Sequence, residues 1–203
     1  SSAMKQDTFM PETAKESNTL VIIPTGLGKT SVAILLAVHE LNKNPNSKVL
    51  ITSPTKPLSA QLCEEFKKHT NIENISLLTG SVNPKKRQAI WDSSTIIAAT
   101  PQTIQKDIEN NRISLDSISL LIIDECHRSK MKYASTFLAK DFKNKILAMT
   151  ASPGNTKEKI DEICQNLNIE KIEIRTEEDN DVKPYIQKKE IKHIFVELPK
   201  ELE

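Results

Sequence analysis

Two short stretches carry residue types that can do chemistry together. The first is Ile22-Ile23-Pro24-Thr25-Gly26-Leu27-Gly28-Lys29-Thr30. An apolar run, Leu20–Ile23, ends at Pro24, and a helix-compatible run, Ser31–Val38, follows Thr30. The tight, glycine-bearing turn between them has the strand–loop–helix context of a phosphate-binding loop. Gly26 and Gly28 can take backbone conformations closed to other residues, which turns successive N–H groups toward one anion. The helix beginning near Lys29 adds its positive end. Lys29 offers a mobile charge for phosphate oxygens. The Thr30 hydroxyl can ligate a magnesium ion held between phosphates. The strict loop pattern places glycine where Ile23 stands, so the match is incomplete.

The second stretch is Leu120-Leu121-Ile122-Ile123 running into Asp124-Glu125-Cys126-His127. An apolar strand that ends in two adjacent carboxylates beside a phosphate loop suits metal and water chemistry. Asp124 would hold magnesium opposite Thr30, through water. Glu125 would polarise the water that attacks the terminal phosphate. His127 would sense that phosphate and pass the signal on, and Arg128 would meet either a nearby carboxylate or the nucleotide path.

These groups need a scaffold that brings residues a hundred positions apart to one place. From Leu20 onward short Val/Ile/Leu runs alternate with amphipathic helices. The strands expected are 20–23, 48–52, 75–78, 95–99, 120–124 and 146–150. The helices are 30–41, 57–69, 84–91, 101–109 and about 133–142, with a further helix over 156–167 and a strand over 171–175. A short helix over 11–16 leads in. Continuous apolar strands alternating with helices imply an α/β domain with a mostly parallel sheet covered on both faces. In such sheets the ligand site lies at the carboxyl ends of the strands. The polar clusters at 24–30, 53–56, 79–80, 100–102, 124–128 and 150–154 all fall there, which predicts one working surface.

The chain has 203 residues and a net charge of +1, so one ordinary-to-large domain is expected and any basic face must be local. Cys63, Cys126 and Cys164 lie far apart without metal-ligand spacing, which fits a reducing, intracellular compartment and core-filling roles for Cys63 and Cys164. The apolar runs are too short to span a bilayer. Ser1-Ser2-Ala3 reads as a cloning remnant, and residues 1–17 as a lead-in to a domain over 18–176. Residues 177–203 begin with an acidic stretch, Glu177–Asp181, and end in an expected edge strand over 192–198.

Taken with Thr150-Ala151-Ser152, the two stretches resemble motifs I, II and III of superfamily 2 helicases, whose first lobe is a RecA-like P-loop domain. The Asp-Glu-Cys-His spelling is similar to the DExH branch, including the innate RNA-sensor and Dicer helicases. More narrowly, Pro24–Thr30, Pro54-Thr55-Lys56-Pro57-Leu58, Ala99-Thr100-Pro101-Gln102, Thr150–Gly154 and Asp181-Val182-Lys183-Pro184-Tyr185 resemble the archaeal Hef and Fanconi anaemia group M family. The resemblance implies ATP and Mg2+ as cofactors. Pro24, Thr25, Gly26, Leu27, Gly28, Lys29 and Thr30 would bind the phosphates. Lys29, Asp124, Glu125 and His127 would be catalytic, Thr30 and Asp124 metal-holding. Thr150 and Ser152 would couple the nucleotide site to the nucleic-acid site. Pro54, Thr55 and Lys56 (motif Ia), Thr79 and Gly80 (the glycine motif), and Thr100, Pro101 and Gln102 (motif Ib) would touch the phosphates of one strand. Hydroxyls, a lysine and amides at helix starts suit phosphate contact and carry no base readout. Lys85-Lys86-Arg87, beside the glycine motif, reads as a solvated helix start.

The resemblance also implies a second RecA-like lobe supplying an arginine finger. No Gln-Arg-x-Gly-Arg-x-Arg stretch is present, and the adenine-reading motif before the phosphate loop is not recognisable, with Gln6 a candidate in poor context. The chain is therefore expected to be the first lobe of a translocase on branched DNA in repair, nearly inactive alone. A double-stranded-RNA-dependent motor is the alternative within the superfamily. A P-loop kinase or nucleotide switch is the alternative outside it, disfavoured by Thr150-Ala151-Ser152 and by the lack of an acceptor pocket and lid. A non-catalytic docking module is disfavoured by the intact Lys29, Asp124 and Glu125.

Overall fold

The computed structural model describes residues 10–24, 28–151, 156–175 and 194–195. Strands β1 (Thr19–Ile22), β2 (Lys48–Thr52), β3 (Ile75–Leu78), β4 (Ile96–Ala99), β5 (Ile118–Asp124), β6 (Lys145–Thr150), β7 (Lys171–Ile174) and β8 (Ile194–Phe195) form one sheet in the order β3-β4-β2-β5-β6-β1-β7-β8. Every pairing is parallel. Around it lie α1 (Glu12–Glu16), α2 (Lys29–Lys43), α3 (Lys56–His69), α4 (Pro84–Ser93), α5 (Pro101–Glu109), α6 (Lys132–Lys140) and α7 (Lys157–Asn166).

The sheet is buried on both faces, which is why its strands are near-continuous runs of Ile, Leu and Val rather than alternating ones. Alternate residues enter two cores. Val21, Ile23, Val49, Ile51, Leu120 and Ile122 pack under α1, α2 and α3, with Phe66 at the centre. Leu20, Ile22, Leu50, Leu121, Ile123 and Ala148 pack under α4–α7, with Trp91, Ile104, Met131 and Leu138. Cys63 and Cys126 are buried in these layers and Cys164 is half-buried, so all three are free thiols that fill space.

Several helices start with the chemistry that caps demand. Thr55 caps α3, its Oγ1 accepting from the Leu58 N–H at 3.3 Å, and Asn83 caps α4 from the Lys85 N–H at 2.9 Å. Proline stands in the first turn of α3, α4 and α5, where its missing N–H costs nothing. Each of these helices directly follows a strand of the parallel sheet, so their N-termini gather at the carboxyl edge.

The elements agree with the periodicity, and the differences are local. Strand β5 starts at Ile118 rather than Leu120, because buried Ser119 joins it and bonds Ser47 Oγ at 2.8 Å. A 3-10 turn, Ser129–Met131, precedes α6 and has no periodic signature. Arg87 departs from the solvated reading of 85–87. It is 5 % exposed and forks onto Asp107 of α5 at 2.7 and 2.9 Å. Of the 177–203 segment, Ile194 and Phe195 extend the sheet beside β7, in register with Glu173 and Ile174. The acidic stretch 177–181 and residues 181–185 lie outside the described residues.

Candidate nucleotide site and nucleic-acid face

Strand order makes the site. β1 feeds the phosphate loop and β5 ends in the acids, and β6 alone separates them. Their ends are pinned: the Ile23 N–H donates to the Thr150 carbonyl at 3.0 Å, and the Cys126 N–H to the Met149 carbonyl at 3.1 Å. Gly28 sits at φ 90°, a left-handed conformation that side chains resist, and its carbonyl accepts the Val32 N–H at 3.1 Å. A Cβ there would meet nothing closer than 4.0 Å, so it is the backbone conformation, not space, that asks for glycine. Thr25, Gly26, Leu27 and Ser152 lie outside the described residues, and Pro24 is half-buried just before the loop.

Lys29 reaches across this gap to both acids. Its Nζ lies 2.9 Å from Asp124 Oδ1 and also pairs with Glu125 Oε1. Burial works against the ammonium charge, but the two carboxylates overcome it and hold the Lys29 pKa above its ordinary value. Asp124 is 5 % exposed, and burial lifts its pKa despite the lysine beside it. Although the Lys29 ammonium lies 2.9 Å away, Asp124 Oδ1 accepts no aligned hydrogen bond among the described residues. A buried carboxylate oxygen in that condition suits a hard cation. Among the described residues no three His, Cys, Asp or Glu side chains cluster as a self-sufficient metal site. One carboxylate and one hydroxyl, completed by substrate phosphates and water, is how magnesium is ordinarily held.

Glu125 adopts φ 53°, and the Arg128 N–H closes the turn onto its carbonyl at 3.0 Å. This turn aims Glu125 back over the sheet edge. Its Oε2 lies 3.7 Å from His127 Nδ1, and that nitrogen shares a 2.5 Å hydrogen bond with Thr150 Oγ1. Burial lowers the His127 pKa against the pull of Glu125, which favours the neutral ring. Residues 23 positions apart, on β6 and after β5, are thus joined at the strand ends.

A cavity of about 570 Å³ opens on this group, lined by Gly28, Lys29, Thr30, Asp124, Glu125, Arg128 and Ala151 with Leu58, Gln61, Leu62 and Glu65 of α3. The α3 wall is absent from any loop motif. Its signal is only that α3 starts beside the loop and presents one face to α2. Arg128 borders the cavity with an exposed side chain.

The second group of expected residues lies along the same edge toward β3. Thr55, Lys56 and Gly80 are exposed, and Thr100 and Gln102 are partly exposed. Lys56 Nζ lies 3.4 Å from Ser81 Oγ, and Thr79 Oγ1 lies 2.8 Å from the same hydroxyl. These contacts draw the starts of α3 and the turn after β3 together. Gln102 Nε2 donates to the Lys130 carbonyl at 2.9 Å, tying the start of α5 to the turn before α6. Pro101 is buried, so it shapes the helix start while its neighbours face out. The Arg87–Asp107 pair, with Arg112 Nη1 3.2 Å from Asp107, braces α4 against α5 beneath this edge. Sequence reasoning missed it. Its trace was an aspartate inside the apolar stripe Ile104-Asp107-Ile108, a position rarely given to a charge without a partner.

Fold and site together define a RecA-like P-loop domain. Residues 4–160 match the DEAD/DEAH box helicase family model, and the chain belongs to that family. It is 46 % identical over 192 residues to a putative ATP-dependent RNA helicase of Methanocaldococcus jannaschii, covering 93 % of this chain and 25 % of that protein. It is 40 % identical to the ATP-dependent DNA helicase fml1 of Schizosaccharomyces pombe, covering 91 % of this chain and 23 % of that one. Among solved structures, the Pyrococcus furiosus Hef helicase domain superposes with a TM-score of 0.78 at 45 % identity, over 85 % of this chain and 37 % of the other. The expected helicase family, the likeness to Hef and the parallel P-loop fold are all upheld. The chain spans a quarter or less of these two curated relatives' length. Among the described residues no helix is long and apolar enough to cross a membrane.

Proposed function

We propose that residues 18–176 are the ATP-binding first lobe of a nucleic-acid translocase that works on branched DNA inside the cell, at the nucleoid. Residues 1–17 lead into it, and 177–203 lead on toward an insert and a second RecA-like lobe. The observation that supports this most directly is Lys29 held against both Asp124 and Glu125 at neighbouring strand ends. That trio is a resting ion pair ready for exchange. An ATP triphosphate takes Lys29 as its counter-charge and frees the two carboxylates. Thr30 and Asp124 are the side chains that would hold magnesium, which supplies charge neutralisation on the phosphates. Glu125 orients the attacking water and accepts its proton. His127 and Thr150 report the change at Glu125 to β6 and, through Ser152, to the strand-binding edge. Pro54, Thr55, Lys56, Thr79, Gly80, Thr100, Pro101 and Gln102 form that edge for one phosphate backbone.

Support for DNA over RNA comes from the likeness to fml1, which is named a DNA helicase. The M. jannaschii relative, named an RNA helicase, supports the second reading, a motor on double-stranded RNA. Competition between forked DNA and duplex RNA for the full-length protein, across a salt series, separates them. In the same protein Lys29→Ala is expected to weaken ATP binding about tenfold or more, as a lost charge-assisted contact requires. Glu125→Gln is expected to keep ATP affinity within about twofold and to abolish hydrolysis, because proton acceptance is lost and binding is not. Unchanged ATP affinity in the first variant, or persistent turnover in the second, overturns the site.

A further inference from the structure

Large apolar side chains are nearly all interior here, with two exceptions among the described residues. Tyr133 is 84 % exposed and Phe137 is 38 % exposed, one helical turn apart on α6. Helices α5 and α6 run side by side. At one end Gln102 of α5 holds the Lys130 carbonyl at 2.9 Å, and at the other Ile108 and Phe137 line the same cavity. Tyr133 therefore stands three residues beyond the Gln102 tether, beside the motif Ib corner of the strand-binding edge. The surroundings are cationic. Arg128 and Lys130 are exposed and neither pairs with a carboxylate among the described residues, whereas Lys132 is matched by Glu162 of α7. An exposed phenol ring that follows two exposed cations, neither paired with a carboxylate among the described residues, has the composition of a stacking platform on a nucleic-acid track, where the ring takes a base face and the cations take phosphates. A protein-docking patch would need a wider apolar surface than one ring and the edge of another.

We propose that the strand-binding edge continues past Gln102 onto Arg128–Tyr133, and that Tyr133 stacks on an unpaired base while Arg128 and Lys130 hold the adjoining phosphates. This rests on the reading of Thr100 and Gln102 as strand contacts. Stacking is tolerant of sequence, so this corner grips an unpaired strand without reading it.

The test uses full-length protein, a labelled forked DNA with a single-stranded arm, and anisotropy titrations at several salt concentrations. Tyr133→Ala is expected to weaken binding roughly 5- to 160-fold, the range for loss of one stacked base, with the salt slope unchanged. Tyr133→Phe restores the affinity, since the ring and not the hydroxyl stacks. Lys130→Ala lowers the salt slope by about 0.7, one single-strand phosphate contact. A 2-aminopurine base in the arm is quenched on binding by the parent and by Tyr133→Phe but not by Tyr133→Ala. Lys56→Ala serves as the comparator. If Lys56→Ala weakens binding while Tyr133→Ala binds like the parent, the inference falls and the motif reading stands. If neither variant weakens binding, the motif reading falls and takes the inference with it.

Discussion

At the residue scale, the proposed nucleotide site would work by competition for one lysine. Lys29 cannot serve two carboxylates and a triphosphate at once, so the empty-handed state of Glu125 depends on what else Lys29 is holding. His127 extends this to β6 through Thr150, which is wholly buried. Thr150→Val keeps the shape and removes the hydroxyl, at a stability cost of about 1 kcal/mol. In full-length protein it is expected to bind ATP normally and to lose most of the stimulation of hydrolysis by nucleic acid. Steady-state ATPase with and without forked DNA checks this, and undiminished stimulation would remove the pair from the coupling path. Lys29, Asp124 and Glu125 were legible in the sequence because their order and their apolar leads are peculiar. The pairing of His127 with Thr150 was legible only as two separate motifs.

At the element scale, a buried ion pair and a buried carboxyl group decide how helices sit. Arg87 and Asp107 lock α4 to α5, and Arg87 Nη1 also donates to the Val82 carbonyl at 2.5 Å, so the turn after β3 is fixed to the last turn of α5. Arg87→Ala leaves Asp107 buried without its fork and should cost about 3–5 kcal/mol in urea unfolding, whereas Arg87→Leu with Asp107→Leu should cost far less. The carboxyl group is that of Glu173, wholly buried on β7, which accepts from Thr13 Oγ1 of α1 at 2.5 Å and leaves Oε2 without a hydrogen-bond partner among the described residues. Burial pushes its pKa up to about 7, against the Thr13 bond and nearby Arg175. A carboxyl raised in the folded state adds stability that is complete below about pH 4.5 and lost as pH climbs through about 7. The loss is on the order of 3 kcal/mol. Glu173→Gln, neutral at every pH, is expected to flatten the stability profile between pH 5 and 8 and to be the more stable form at pH 8. An unchanged slope in thermal melts across that range would rule out Glu173 as its source.

At the scale of the whole molecule, every expected functional residue that the structure describes lies along the carboxyl edge of one sheet. Lys29, Asp124 and Glu125 occupy its middle, and Lys56, Gly80 and Gln102 its flank toward β3. On the proposed two-lobe reading, this domain would offer half of each site. Its sequence has no arginine-finger stretch, and such a finger is worth roughly 10³–10⁵ in rate. The 203-residue chain alone is therefore expected to hydrolyse ATP slower than the full protein by about that factor, with no response to DNA. A single-turnover assay on both forms measures it, and comparable rates would mean that the chemistry is complete within this lobe.

The chain's own text determined the alternation of strands and helices, the parallel sheet and the two chemical stretches. Each is written in local order: apolar runs, glycines, caps and adjacent acids act on near neighbours, and their spacing survives without a fold. Tertiary structure alone decided that β6 lies between β1 and β5, that Arg87 is a buried brace, that α3 walls the nucleotide cavity, and that Tyr133 is left outside next to Gln102. Strand order is set by which apolar faces pack together over long separations. A charge or a ring has no interior or exterior until that packing is complete.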